Sequence, residues 1–396
     1  MEELTFTQEI KPPSTKKGPI RWLKDNLFSN WYNTVLTLFA IVFLYFLFKG
    51  VYTWVFTQAK WAVIPANLQI LSVGSYPREQ LWRVAYVVYV LAILMGLSAG
   101  IWKGLNQQIT SAVACIGAVI TLLPIHVNTS VREAAVIATI LIAVSYVFGR
   151  DRQNLKRWVI IGWVLMFPWM MFMLRGFGEN AISTINWGGL LLTLILAVVG
   201  IVACFPIGVL LALGRRSQLP AIRWISIAYI EVVRGMPLVT ILFMGSLMLP
   251  IFMPGDFQLD KVVRAMIALT LFSAAYMAEN VRGGLQAVPR GQYEAAQAVG
   301  LSYPKTMTFI VLPQALRSVI PAIVGQFIAL FKDTSLVSII ALSELLGVSD
   351  NILGNPKWTG LKPELYLFIA VVYFIFTFAM SYVSQIVEAD LGVGKH

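Results

Sequence analysis

Residues 294–321 read EAAQAVGLSYPKTMTFIVLPQALRSVIP. This stretch carries charged and polar residues and helix punctuators, yet it joins two long apolar runs, Val262–Val281 and Ile320–Leu346. Glu294 stands near a helix start, where a carboxylate meets the positive end of the helix dipole. Ala295, Ala296 and Ala298 favour helix and leave a low-profile surface able to enter a groove on a partner. Gly300 permits the turn that ends this first short helix. Ser302 is positioned to cap the next one, with Pro304 in its first turn, and Pro313 marks its end. The pattern reads as a rigid polar elbow. On composition alone, an ordinary loop between two spans reads equally well.

The surrounding chain has 396 residues, 58% hydrophobic and 12% charged, with a mean hydropathy of +0.76. Soluble domains carry about a quarter charged residues. Repeated apolar runs of about 17–25 residues predict an all-α, polytopic transmembrane protein, since a helix satisfies its own backbone in lipid. About ten spans are expected: Tyr32–Phe56, Val84–Trp102, Ile109–Val127, Ala134–Gly149, Trp158–Leu174, Trp187–Leu213, Trp224–Phe252, Val262–Val281, Ile320–Leu346 and Leu365–Ile386. Trp61–Leu71 is apolar but short, which predicts an interfacial or re-entrant piece. Residues 1–31 form a polar tail without the early apolar core of a secretory signal, and Ile20–Asn30 within it reads as an interfacial helix.

Lys and Arg placement orients the spans. With the tail inside, the basic residues outnumber those on the opposite face two to one, with Lys49, Arg234 and Lys332 inside spans. That matches the positive-inside rule, places both termini in the cytoplasm and assigns the net charge of +11 to basic loops rather than to nucleic-acid binding. Cys115 and Cys204 fall inside apolar runs and read as buried structural thiols, with no disulfide or metal site between them. His126 and His396 are isolated and suggest neither catalysis nor a metal. The sequence contains no G-x-x-x-x-G-K-[ST] loop; the terminal Gly392-Val393-Gly394-Lys395-His396 has no helix after it to cradle a phosphate. No cofactor and no catalytic constellation is expected.

Glu294-Ala295-Ala296, three residues, Gly300, nine residues, then Ile310-x-Leu312-Pro313 resembles the EAA loop of ABC importer permeases. Several flanking segments narrow the likeness. They are Gly214-Arg215-Arg216-Ser217, Glu231-Val232-Val233-Arg234-Gly235-Met236-Pro237-Leu238, Ala275 to Gly284, and Lys332-Asp333-Thr334-Ser335-Leu336. Together they are similar to the polar amino acid permease family of histidine and glutamine importers, with Met236 where that family usually has Thr. The likeness covers residues 187–388, the five-helix permease core, with the coupling loop at 283–320. The leading spans, 32–175, resemble the long permeases of general L-amino acid importers. The resemblance implies a bacterial inner-membrane permease subunit that forms half of a translocation path. It further implies a second, related permease as heterodimer partner, two ATP-binding cassette subunits and a periplasmic amino acid-binding protein. Glu294, Ala295, Ala296 and Gly300 then form the coupling helix that docks on the ATPase.

A charge inside a span costs about 2.5–3.5 kcal/mol on insertion scales and calls for a reason. Lys332 and Asp333 fall mid-span and cannot share one helix face. A broken helix there would expose Asp333 to a substrate ammonium, and Thr334, Ser335 and free N–H groups to its carboxylate. An internal salt bridge that only fixes packing is the other reading. Ser273, Tyr276 and Glu279 can line the same cavity, or Glu279 can pair with Arg282 three residues on. Arg234 pairs with Glu231 at i−3 or contributes to a gate. A secondary transporter or channel would also be polytopic with midplane charges, but would leave the elbow without a task. A membrane enzyme would need a nucleophile or metal cluster that the sequence does not display.

Overall fold

The computed structural model describes residues 18–122, 129–178, 181–254 and 259–392. Their regular structure is helical, apart from an isolated bridge between Gly189 and Glu344. The chain divides into two units, Met1–Lys60 and Trp61–His396. His126, His396 and the last residues of the expected span Ile109–Val127 lie outside the described residues.

In the first unit, α1 (Pro19–Leu27) leads into α2 (Trp31–Thr53), which a π-helical turn extends through Trp54–Gln58. Thr37 donates to the carbonyl of Leu27 at 2.8 Å and ties the two helices together. No residue of α2 is buried, although it displays Phe39, Phe43, Phe46 and Phe48. A helix apolar on every face needs apolar surroundings, so α2 has the composition and exposure of a lipid-facing span. Its charged residue Lys49 lies over the ring of Tyr45, 5.8 Å from the centroid.

The second unit opens with the short α3 (Val63–Ala66) and α4 (Leu68–Val73), followed by α5 (Leu81–Trp102), α6 (Leu105–Leu122), α7 (Thr129–Gly149) and α8 (Lys156–Arg175). Then come α9 (Gly189–Arg215), α10 (Pro220–Arg234), α11 (Leu238–Phe243), α12 (Leu249–Phe252) and α13 (Lys261–Ala287). The rest comprises α14 (Arg290–Ala298), α15 (Tyr303–Lys305), α16 (Leu312–Ser318), α17 (Ile320–Asp333), α18 (Leu345–Leu353) and α19 (Lys362–Leu391). One apolar cluster joins Leu94 and Leu174 of the leading helices to Leu192, Leu269 and Val337.

Among the described residues, eight helices are long and apolar enough to cross a membrane, or nine with the bent pair Pro220–Arg234 and Leu238–Phe252 taken as one. Ten were expected. The expected span Ile109–Val127 is not among them because it runs past the described residues; its described part belongs to α6. The expected span Trp224–Phe252 is bent by 106° where Gly235-Met236-Pro237 interrupts it. Pro237 has no N–H to continue the ladder and takes extended dihedrals instead. Cys204 is buried as expected, but Cys115 is exposed on α6.

α13 is the most buried span, with 67% of its apolar window inside the protein. Asp260 caps its start, accepting from the N–H of Val262 at 2.8 Å, and also accepts from Thr184, just ahead of α9. α9 and α13 therefore start together and run side by side in one direction. Gly208 sets their spacing, because a Cβ there would come within 2.6 Å of the Met277 Cβ.

The expected span Ile320–Leu346 is three elements. α17 ends at Asp333, a 3-10 segment covers Thr334–Ile340, and Ala341 turns left-handed at φ 55° before α18. Glu344 caps α18 and is fully buried. It accepts from the N–H groups of Leu346 and Gly347 at 2.8 Å each and from the Tyr373 hydroxyl at 3.3 Å. Beside it, Thr193 of α9 accepts from the N–H of Leu345 at 3.1 Å.

Candidate functional site

The elbow begins where Pro289 ends the path from α13 and opens α14. Glu294 and Ala295 are exposed on α14, but Ala296 is buried, so the alanines do not form one open surface. The helix closes with two bonds, Leu301 N–H to the Ala296 carbonyl at 3.1 Å and Gly300 N–H to the Gln297 carbonyl at 2.9 Å. This is the double bond pattern of a Schellman cap, which needs a left-handed residue. Gly300 supplies it at φ +75°, with open space around its Cα.

Beyond the turn, two local expectations change. Ser302 occupies the N-cap position of α15, but its hydroxyl makes no capping bond. Pro313 does not end the second helix. A π-helical turn over Thr306–Val311 carries α15 into α16, and Pro313 lies in the first turn of α16. A π turn absorbs the ladder bond that proline cannot donate. The turn leaves Val299 and Phe309 76% and 70% exposed, with Tyr303 between them in sequence and exposed as well.

The elbow is bolted to the membrane helices. Arg216, just past α9, donates to the Tyr293 hydroxyl of α14 at 3.1 Å and to the Leu285 carbonyl of α13 at 3.0 Å. Its guanidinium also lies 5.7 Å from the Tyr293 ring centroid. Gln314 of α16 donates to Gln292 at 3.1 Å. Gly284 is pressed against Ala315, where a Cβ would meet the Ala315 carbonyl oxygen at 2.3 Å. Arg317 donates to the Leu391 carbonyl at the end of α19.

Next to this anchor lies an ionic cluster built on Glu279, whose side chain is 15% exposed. Arg282 holds its carboxylate through two nitrogens, with Nη2 to Oε2 at 2.8 Å and Nε to Oε2 at 2.9 Å. Arg215 of α9 reaches Oε1 at 2.9 Å, and Arg234 of α10 stands 3.5 Å from Oε2. Arg215 also donates to Glu231 of α10 at 2.8 Å. The i+3 pairing of Glu279 with Arg282 is thus present. Arg234 pairs with Glu279 rather than with Glu231, because Arg215 comes in from α9 to hold Glu231. Sequence spacing could not disclose that bridge across 16 and 64 positions.

The other candidate residues form two sets. Tyr276 packs on Phe272 at 4.9 Å between centroids, and Arg234 lies 5.5 Å from its ring. Ser273, one turn earlier, is buried, and its hydroxyl oxygen has no hydrogen-bond partner among the described residues. Asp333 is half-buried at the end of α17, and Lys332 is exposed. No ion pair within 4 Å joins them among the described residues, so the alternative reading of an internal salt bridge between them is not met there. Thr334 is fully buried and donates to the Phe331 carbonyl at 2.7 Å; Ser335 donates to the Lys332 carbonyl at 2.8 Å. Both hydroxyl protons are therefore committed inside the turn, although their lone pairs can still accept. Among the described residues, no hydrogen bond or ion pair joins this set to Ser273, Tyr276 and Glu279.

Removing the central carboxylate would leave three guanidinium groups facing one another. Breaking a fully buried pair costs about 3–5 kcal/mol, and partial exposure lowers this to about 2 kcal/mol here. Glu279→Gln is expected to lower the thermal midpoint accordingly, with a loss that shrinks at high salt as the arginines are screened. Midpoints of the variant and the wild type at low and high salt check this.

Residues 204–393 match the family described as binding-protein-dependent transport system inner membrane component. The inner membrane amino-acid ABC transporter permease protein YhdY of Escherichia coli (strain K12) is 37% identical, with 94% of this chain and 93% of that protein aligned. The glutamate/glutamine/aspartate/asparagine transport system permease protein BztC of Rhodobacter capsulatus is 34% identical over 99% of both chains. A solved structure described as an amino acid ABC transporter with histidines is 31% identical over 51% of this chain and 92% of its own, with a TM-score of 0.46. The full-length relatives carry the leading helices as well as the core, and with the matched residues they establish that this chain belongs to the binding-protein-dependent transport system inner membrane components, among the amino-acid ABC transporter permeases.

Proposed function

We propose that the chain is one permease subunit of an ATP-driven importer of L-amino acids, contributing half of the translocation path and taking its energy from a separate ATPase. The observation that carries this reading is the end-to-end kinship with amino-acid permeases. The anchored elbow supports the coupling role, and the sequence has no phosphate-binding loop of its own. A second, related permease completes the path as a heterodimer. Two ATP-binding cassette subunits dock, one on each permease, here through the exposed Glu294 and Ala295 and the Gly300 turn, with the buried Ala296 packing the elbow from behind, and a periplasmic binding protein delivers the amino acid. Both chain termini lie on the cytoplasmic side, with residues 187–388 as the working core.

The mechanism follows from the anchoring. When ATP draws the two ATPases together, each elbow is displaced with them. Because Arg216, just past α9, is hydrogen-bonded both to Tyr293 of α14 and to the Leu285 carbonyl of α13, the displacement passes into the spans instead of being lost in a slack loop. Hydrolysis releases the elbow and the path faces inward again. The equilibrium shifts only by as much as the ATPase contacts differ between the two states. Ser273, Tyr276, Glu279 and Asp333 line the path, with Asp333 accepting from the substrate ammonium and Thr334 and Ser335 shaping the break beside it.

Two measurements test this reading. A left-handed residue at position 300 is cheap for glycine, tolerable for asparagine and costly for a β-branched residue, by about 1–2 kcal/mol. In vesicles with trapped ATP, Gly300→Val is expected to lose at least about tenfold in amino acid uptake, and Gly300→Asn to retain most of it. Equal uptake by both variants, or uptake driven by an ion gradient without ATP, overturns the coupling reading in favour of secondary transport. For the path, Asp333→Asn is expected to cut transport while leaving binding-protein affinity for the amino acid unchanged. Unaltered transport kinetics would reduce Asp333 to packing.

A further inference from the structure

Two consecutive arginines at the end of α9 point in opposite directions along the chain of contacts. Arg216 faces the elbow, donating to Tyr293 of α14 and to the Leu285 carbonyl of α13. Arg215 faces the spans, bridging Glu231 of α10 at 2.8 Å and Glu279 of α13 at 2.9 Å through one guanidinium nitrogen. We propose that Arg215 and Arg216 are the transmission of this permease, converting displacement of the elbow into making and breaking of the ionic bond between α10 and α13. The proposal rests on the coupling role of the elbow and names the residues through which it acts.

First, the two residues are adjacent at the end of a 27-residue helix, so movement imposed on Arg216 reaches Arg215 without an intervening hinge. Secondly, the cluster can change partners at low cost. Glu279 is held by Arg282, Arg234 and Arg215, so it keeps two arginines when Arg215 withdraws. Neither carboxylate is stranded, since Glu231 has 55% of its side chain open to solvent. A carboxylate held by one arginine alone would resist the same motion strongly. Thirdly, the element released can swing. α10 leads into the 106° bend at Gly235-Met236-Pro237, and Arg234, the last residue of α10, is the other tie to Glu279. Loosening Arg215 frees Glu231, while Arg234 and the bond from the Tyr229 hydroxyl to the Leu271 carbonyl stay as the pivot.

The test is the number of amino acids transported per ATP hydrolysed, measured on the whole complex in proteoliposomes. A purely structural role would lower assembly and both rates together and leave that ratio alone. Arg216→Ala is expected to lower the ratio about tenfold while ATP hydrolysis continues. Arg216→Lys, which keeps one donor, is expected to restore part of it. Tyr293→Phe keeps the ring and loses the hydroxyl, and is expected to lower the ratio about threefold. Because the two arginines act in series, Arg215→Ala combined with Arg216→Ala is expected to be no worse than the more severe single variant. An unchanged ratio in Arg216→Ala overturns the proposal. Should that variant fail to assemble, an unchanged ratio in Tyr293→Phe overturns it instead. Gly300→Val in the same assay separates the two claims. Uncoupling by Gly300→Val without any effect of Arg216→Ala defeats the transmission alone. An unaffected ratio in both defeats the coupling reading with it.

Discussion

Inside a bilayer, a backbone group that leaves its helix finds no water, so every interruption must be covered by protein. Two interruptions in this chain show how that constraint places the rest. At 235–237 the bend is covered locally, with the N–H groups of Gly235 and Met236 returned to the carbonyls of Glu231 and Val233 and that of Thr240 to Pro237. At 333–345 the chain cannot do this alone. Ala341 and Leu342 bond back to Ser338 and Val337, but Leu345 needs the Thr193 hydroxyl, and Leu346 and Gly347 need the Glu344 carboxylate. A buried acid and a buried threonine follow from breaking a helix where solvent cannot repair it.

The same constraint governs the charges. Glu279 and its arginines fall in or beside apolar helices, where a lone charge is costly. Three guanidinium groups on one carboxylate meet that cost by sharing, since a carboxylate offers about four lone-pair directions and each guanidinium five donors. Sharing also makes the cluster adjustable. A single bidentate pair has one geometry, whereas a carboxylate with three suitors can exchange one without losing its charge balance. Placing such a cluster where α9, α10 and α13 meet, and bolting an exposed elbow to the next residue of α9, gives those helices a joint rather than a weld.

How much of this was legible depended on the range of the interaction. Local signals held: the Gly300 turn, the Glu279 to Arg282 pairing and the apolar length of most spans follow from residues within a few positions of one another. Signals that needed a distant partner did not. Arg215 read as one of several basic residues in a loop, and nothing in its neighbourhood marked it as the tie between Glu231 and Glu279. Glu344 was hidden because the apolar run Ile320–Leu346 looks continuous by hydropathy. The cue was local after all, an acid directly before Leu345-Leu346-Gly347, which is the signature of a helix start. Pro313 misled for the opposite reason. Proline breaks an isolated helix, but a π turn ahead of it lets the helix pass.

Stiffness is not spread evenly around the elbow. The end of α13, α14 and the start of α16 are joined by Arg216, by Gln292 with Gln314, and by the backbone approach at Gly284. These pieces move as a block, because shifting one against another breaks several short polar contacts at once. α10 is held differently: two of its polar ties to the neighbouring helices run through exchangeable arginines at the ionic cluster, and a third, Tyr229 donating to the Leu271 carbonyl of α13 at 2.7 Å, steadies its middle. A load applied to the exposed Glu294 face therefore meets a rigid body first and a pliable joint second. The motion that costs least is a rotation of α10 and its bent continuation against that body. Val299, Tyr303 and Phe309, left bare at the turn, are where such a load can be gripped without touching the contacts that transmit it.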